Sequence, residues 1–146
     1  MNPIVTVLRV DDIPAVCEIW HRVRKASEFP VGAHWSPEAY RDEVDRGRGW
    51  GVFVEGQLRA FAFFRNQPGG LEILQLATDP AVGRKGLMGL LLGRILQGFA
   101  PREAWLEVHE GNLPALRFYE GLGFQRNGYR KAYYSDGAGA ILMVKR

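Results

Sequence analysis

The stretch from residue 71 to residue 109 limits the possible folds more than any other part of the chain. Leu71-Glu72-Ile73-Leu74-Gln75-Leu76-Ala77-Thr78 is short, apolar and bounded by turn residues, so it reads as a strand. Residues 86–99 carry apolar side chains at helical spacing, and Trp105-Leu106-Glu107-Val108-His109 reads as a second short strand. A helix of that length does not fit in a hairpin loop, and two strands joined by one lie parallel in the same sheet. Upstream, residues 50–54 and 58–64 flank the turn Glu55-Gly56-Gln57, and Pro68-Gly69-Gly70 leads into the strand at 71–78. Those strands form a meander with antiparallel neighbours. The expectation is an α/β chain of mixed α+β type, with one mixed sheet flanked by helices.

The remaining segments extend this plan. Residues 4–9 are β-rich. Asp11 or Asp12 then caps a helix with Pro14 in its first turn. Ile13, Val16, Cys17, Trp20 and Val23 keep the helical repeat until it fades near Ser27. Residues 27–36 form an aromatic-rich loop, and Ser36-Pro37 opens a second helix that runs to about Arg46. Residues 113–121 read as a helix closed by Gly121 or Gly123. Residues 124–132 and 138–144 read as a final hairpin around Ser135-Asp136-Gly137. The expected order is β-α-α-β-β-β-α-β-α-β-β, and residues 1–146 are the size of one domain.

Several function classes drop out. Hydrophobic residues make up 47% and charged residues 24%, enough to build a core and too apolar for disorder. The first residues, Met1-Asn2-Pro3-Ile4-Val5, show no basic region before an apolar run, so no signal peptide is expected. The densest apolar run, residues 87–96, is broken by Gly89, Gly93 and Arg94 and falls far short of the roughly 20 residues of a membrane span. A cytoplasmic protein with no membrane partner is expected. Cys17 is the only cysteine, so it is either an acyl-carrying nucleophile or a small hydrophobe on its helix stripe. His21, His34 and His109 have no partners at metal-ligand spacing, and no metal is expected. The net charge of +3 suits nucleic acid or a small polyanion, but the basic residues are scattered and no nucleic-acid motif accompanies them.

Residues 78–89, Thr78-Asp79-Pro80-Ala81-Val82-Gly83-Arg84-Lys85-Gly86-Leu87-Met88-Gly89, join a strand to a helix through a glycine-containing turn. Free N–H groups and the helix dipole make such a start an anion site, to which Arg84 and Lys85 add charge. A pyrophosphate suits it, and so does a purely structural turn. Neither a Gly-Lys-Ser/Thr nor a Gly-x-Gly-x-x-Gly pattern occurs here, so the P-loop and Rossmann readings fail.

The next segments narrow the choice. Leu106-Glu107-Val108-His109-Glu110-Gly111-Asn112 is followed by Arg117-Phe118-Tyr119-Glu120-Gly121-Leu122-Gly123-Phe124. With the Gly-rich turn before them, these residues resemble the GNAT acetyltransferase superfamily: a Q/R-x-x-G-x-G/A turn after a strand, then Asn, then Y-E-x-x-G-F. The resemblance covers at least residues 71–130. Leu106-Glu107-Val108, Asn112, Arg130-x-x-Tyr133-Tyr134 and Ile141-Leu142-Met143 look like the ribosomal-protein-alanine N-acetyltransferase (RimI) subfamily, as do Phe29-Pro30 and Trp35-Ser36. The resemblance implies a GNAT fold: a mostly antiparallel mixed sheet of about six to seven strands with about four helices, its parallel pair splayed around the cofactor. It implies acetyl-CoA as cosubstrate and an amine as acceptor. It implies Glu107 as general base and Tyr119, twelve residues downstream, as general acid. Leu76, Ala77 and Thr78 would meet the cofactor through backbone, Arg84, Lys85, Gly86, Leu87, Met88 and Gly89 its pyrophosphate, and Asn112 its pantetheine arm.

Three positions depart from the pattern. Gly83 stands where the family has Gln or Arg, Met88 where it has a small residue, and Gly139 where the RimI pattern has an acid. The acceptor reading therefore keeps alternatives. An α-amine, with pKa about 7.7–8.0 against about 10.4 for lysine, costs roughly 3–4 kcal/mol less to deprotonate at neutral pH, which favours a peptide or protein N-terminus such as that of a ribosomal protein. A small-molecule amine is the alternative acceptor, and a non-catalytic acyl-CoA sensor the alternative function. Acceptor contacts are expected from Phe29, Trp35, Tyr133 and Tyr134, which also suit ordinary lid packing. The chain is expected to be a monomer or homodimer.

Overall fold

The computed structural model describes residues 2–32, 34–83 and 85–146. Among them the strands are β1 (Ile4–Val7), β2 (Gly49–Val54), β3 (Gln57–Gln67), β4 (Gly70–Thr78), β5 (Ala104–His109), β6 (Gln125–Arg130) and β7 (Ala140–Lys145). The α-helices are α1 (Ile13–Ala26), α2 (Pro37–Asp45), α3 (Leu87–Phe99) and α4 (Leu113–Gly121). The strands form one sheet in the order β1-β2-β3-β4-β5-β7-β6. Only β4 and β5 pair in parallel, and every other described pairing is antiparallel. This is the expected mixed α/β architecture. The N-terminal strand is shorter than expected: β1 stops at Val7 and a 3-10 turn spans Val10–Asp12. Asp12 sits at the N-cap of α1, but its carboxylate accepts the Arg9 N–H at 2.8 Å instead of capping the helix.

The sheet is covered on both faces. β3 explains why: Ala60, Phe61, Ala62, Phe63 and Phe64 are all buried, with the alanines on one face and Phe61 and Phe63 on the other. The small alanines let α3 approach closely. Leu87, Met88, Leu91, Leu92 and Ile95 of α3 pack into that first core, and each side chain contributes about 1.5–3 kcal/mol by leaving water. Leu116 and Tyr119 of α4 join the same core. α1 and α2 cover the other face, where Val16, Ile19, Trp20, Tyr40 and Val44 surround Phe61 and Phe63. α3 ends at Ala100, in the left-handed conformation, and Pro101 forbids another turn.

The feature that shapes the site is a register shift. Phe63 pairs with Gln75 and Phe64 with Ile73, which leaves Leu74 as an extra residue, a β-bulge in β4. The bulge resets the alternation, so Leu71 and Ile73 face the first core while Ala77 faces the second. The parallel pairing of β4 with β5 holds only at Leu71–Ala104 and Glu72–Trp105. Beyond it the two strands diverge and a wedge opens in the sheet. No helix among the described residues is long and apolar enough to cross a membrane.

Candidate active site

Two cavities, of about 170 and 270 Å³, share the walls of this wedge. Gln75 on β4, Leu106 and Glu107 on β5 and Tyr134 from the β6–β7 connection line both. Asn112, Tyr119 and Leu76 border the first, and Trp35, Trp105 and Tyr133 the second. Seven of the residues singled out from sequence, Glu107, Tyr119, Leu76, Asn112, Trp35, Tyr133 and Tyr134, thus converge on one cleft.

The turn between β4 and α3 leaves a helix N-terminus uncapped. Gly86, the N-cap residue, has φ +74° and no side chain bonds the first turn. The N–H groups there, with the dipole behind them, are a ready anion site. Nothing stands within 4 Å of where a Cβ would sit on Gly83, Gly86 or Gly89, so backbone faces open space, as a pyrophosphate requires. Gly83 adopts φ +63° and ψ −153°, a conformation that disfavours any side chain and accounts for glycine in place of the family's Gln or Arg. Met88 points into the first core and leaves its backbone to the ligand side. Lys85 is exposed. Arg84 lies outside the described residues. Asp79 anchors the start of the turn: its Oδ1 accepts the Ala81 N–H at 3.0 Å and its Oδ2 meets Arg59 at 3.0 Å and Arg22 at 3.2 Å. Burial would push this carboxyl up, but the Ala81 N–H and the two guanidinium groups hold it below the usual range.

Of the β4 residues expected to meet cofactor, Leu76 borders the cavity, Ala77 is buried in the second core and Thr78 pairs with Ala60. Asn112 caps α4, its Oδ1 accepting the Ala115 N–H at 3.2 Å, which leaves its amide N–H groups for a ligand. Glu107 projects from β5 with a side chain 21% exposed. Its Oε2 is ion-paired with Arg130 Nε at 3.2 Å and is buried without a hydrogen-bond partner among the described residues. The carboxylate, which lines both cavities, has lone pairs that can also accept from an ammonium or a water there. Tyr119 is 7% exposed, edge-on to Phe124, and burial, with Tyr134 beside it, pushes its phenol well above the ordinary value.

Trp35 packs on Tyr40 and Phe63 while lining the second cavity. Tyr133 is half exposed under the Arg130 guanidinium at 5.6 Å, and Tyr134 stands edge-on to it. Burial, helped by Tyr133 and the Glu107 and Asp136 carboxylates, pushes Tyr134 up to about 12. Phe29 turns onto the His109 ring, at 4.7 Å between centroids. Gly139 is buried under Tyr129, whose ring occupies the place a Cβ would need. Cys17 packs on the second core, does not line either cavity, and its thiol is raised by burial, as a small hydrophobe would be.

Three contributors carry no sequence signal: the Leu74 bulge, Gln75 held by the Tyr40 hydroxyl at 2.7 Å, and His109 bonded to Asp136. A motif search finds none of them, because each depends on residues distant in the chain.

The model of the acetyltransferase (GNAT) family matches residues 14–124. The [Ribosomal protein bS18]-alanine N-acetyltransferase of Escherichia coli is 30% identical over 151 residues, covering 99% of this chain and 97% of the relative. The crystal structure of the ribosomal-protein-S18-alanine N-acetyltransferase from Escherichia coli superposes with a TM-score of 0.84 at 26% identity, covering 99% of this chain and 93% of that one. yncA of Salmonella typhimurium, solved with its cofactor acetyl-CoA, shares the fold at a TM-score of 0.83 and 14% identity, over 100% of this chain and 94% of that one. The wedge, the uncapped helix and the matching relatives agree: the chain belongs to the GNAT acetyltransferase family and is an N-acetyltransferase.

Proposed function

We propose that the chain moves an acetyl group from acetyl-CoA to the N-terminal α-amine of a protein or peptide, with a ribosomal protein as the acceptor suggested by its relatives. One observation carries this reading. The Glu107 carboxylate stands where two cavities meet, ion-paired with Arg130 and with an oxygen that has no hydrogen-bond partner among the described residues. One cavity runs toward Tyr119 and Asn112, the other toward Trp35 and Tyr133. A donor cosubstrate in the first and an acceptor amine in the second would meet beside it.

The N–H groups at the start of α3 and Lys85 hold the pyrophosphate, with backbone of Leu76, Ala77 and Thr78 and the Asn112 amide along the rest of the donor. The donor supplies an activated thioester. Glu107 takes a proton from the acceptor ammonium through a water, so that the nitrogen lone pair can form the new C–N bond. As the C–S bond breaks, the Tyr119 hydroxyl gives its proton to the departing sulfur. The second proton that the nitrogen sheds as the amide forms returns through water to the Tyr119 oxygen. Burial keeps the Tyr119 phenol protonated at neutral pH, the form a general acid must hold. Each group is worth about 10²–10⁴ in rate. Trp35, Tyr133 and Tyr134 supply flat aromatic walls for the peptide.

An acceptor screen tests the proposal. Purified enzyme and acetyl-CoA are offered an alanine-starting peptide, the same peptide with a blocked N-terminus and an internal lysine, and a panel of small amines. Thiol release and acceptor mass are read. Acetylation confined to the free α-amine is expected, and turnover of small amines in preference to the peptide rejects the proposal.

A further inference from the structure

His109 ends β5, two residues beyond Glu107 and so on the same face of the strand. Its ring is 6% exposed, and both nitrogens are engaged. Nδ1 accepts the Gly111 N–H at 3.0 Å, which leaves the proton on Nε2, donated to Asp136 Oδ2 at 2.7 Å. Phe29, from the α1–α2 loop, lies on the ring at 4.7 Å, and Tyr134, from the β6–β7 connection, at 4.9 Å. The next residue repeats the tie. Glu110 Oε2 accepts the Gly139 N–H at 2.7 Å and the Tyr129 hydroxyl at 2.5 Å, and its own N–H donates to the Gly139 carbonyl at 2.9 Å. Both segments that border the acceptor-side cavity are therefore fastened to the end of the strand that carries Glu107.

We infer that His109, with Asp136 as its anchor, is a positioning residue for the acceptor: it holds Tyr134 and the segment at Pro30–Val31 at a fixed separation from Glu107. The inference rests on the acceptor lying in the cavity that Trp35 and Tyr133 border. His109 acts through Tyr134 and Phe29, and its bond to Asp136 sets the height of the β6–β7 connection over the groove. The pyrophosphate end of the donor site has no such dependence, because the α3 N-terminus and Asp79 lie on other elements. But His109 borders the donor cavity and its Nδ1 holds Gly111 beside Asn112, so only the Asp136 tie is purely acceptor-side. Cutting the clamp at Asp136 should widen the acceptor groove and leave the donor site intact.

Four variants separate the parts. His109→Phe keeps a flat ring for Phe29 and Tyr134 but loses both hydrogen bonds. His109→Ala loses both. Asp136→Asn keeps an oxygen for the Nε2 proton, and Asp136→Ala removes it. KM values for peptide and acetyl-CoA are measured independently, with hydrogen exchange of residues 131–139 as a readout that needs no turnover. His109→Phe and Asp136→Ala are expected to raise the acceptor KM roughly tenfold, the loss of about one hydrogen bond, and Asp136→Ala, which keeps the Gly111 bond, to leave the acetyl-CoA KM within about twofold. Exchange of residues 131–139 should quicken in both, and Asp136→Asn should restore both readouts. Unchanged acceptor KM and exchange in Asp136→Ala overturn the clamp, as do KM values that rise together for both substrates in that variant. A wild-type enzyme that turns over no peptide refutes the proposed function instead, and the exchange measurement then decides the clamp by itself.

Discussion

Tyr119→Phe removes a single oxygen atom and should cost the enzyme most of its turnover and almost none of its stability. The Tyr119 ring is buried, packed edge-on against Phe118 at 5.1 Å and Phe124 at 5.9 Å, and phenylalanine keeps those contacts. Among the described residues the hydroxyl makes no hydrogen bond, and the residue lines the cavity beside Glu107. Its loss orphans no partner, so unfolding should change by at most about 0.5 kcal/mol, a Tm shift of about 2 °C or less for a chain of this length. The kinetic cost is different in kind. Without a proton for the leaving sulfur, kcat should fall about 10²–10⁴-fold, equivalent to roughly 3–5 kcal/mol of barrier. The acetyl-CoA KM should hold, because the α3 N-terminus is untouched. The pH profile adds a sign. A general acid works while protonated, and burial raises this phenol, so wild-type activity should persist above the ordinary tyrosine value of about 10 before it falls. The Phe variant should lack that alkaline limb. Thiol release at saturating substrates, followed across pH, gives both quantities. A kcat within about threefold of wild type, or a rate loss matched by a large fall in Tm, would refute the assignment of Tyr119 as acid.

Other substitutions probe the scaffold. Asp79→Ala should destabilise by about 1–3 kcal/mol, below the full cost of orphaning a buried charge because Arg22 and Arg59 both reach solvent, and should raise the acetyl-CoA KM by loosening the turn before α3. Because the Asp79 carboxyl is held below its ordinary value, it stabilises the fold above that value and the contribution fades as pH falls through the folded one; acid melts should be steeper for wild type than for Asp79→Asn. Tyr40→Phe leaves the buried Gln75 oxygen without its donor and should cost about 1–3 kcal/mol by denaturant unfolding. Gly139→Ala should swing the exposed Tyr129 ring aside and break its bond to Glu110, at a cost of about 0.5 kcal/mol or less in thermal melts.

The order of elements was legible because each long segment keeps one period. The leucine-rich run at 86–99 was read as a helix and residues 58–64 as a strand, but that the Ala-Phe alternation at 60–63 is buried on both faces emerged only from the packing. The splay was implied by resemblance alone. Its local cause, the extra residue Leu74, is invisible because the residues around it are nearly all apolar and a change of phase leaves no mark. The final hairpin was legible as well, but not that β7 inserts between β5 and β6, since edge order follows from packing. The first strand ended early because Asp12 satisfies the Arg9 N–H and starts a 3-10 turn, a choice between two local partners that composition does not decide. The departures from the family pattern became intelligible only in three dimensions. Gly83 needs a backbone angle that glycine adopts freely, Met88 faces the core, and Gly139 makes room for Tyr129. His109 looked like an isolated histidine because Asp136 lies far along the chain.

The role of Glu107 is most directly tested by acetyl incorporation into an alanine-starting peptide, measured by mass spectrometry for wild type and Glu107→Gln between neutral and alkaline pH. Wild type should acetylate the free α-amine. The variant should be slower by about 10²–10⁴-fold at neutral pH and recover part of the deficit as pH passes the α-amine value of about 7.7–8.0, where solvent has already removed the proton. Equal rates for the two enzymes at neutral pH, or a wild type that leaves the peptide unmodified, would contradict this reading of the site.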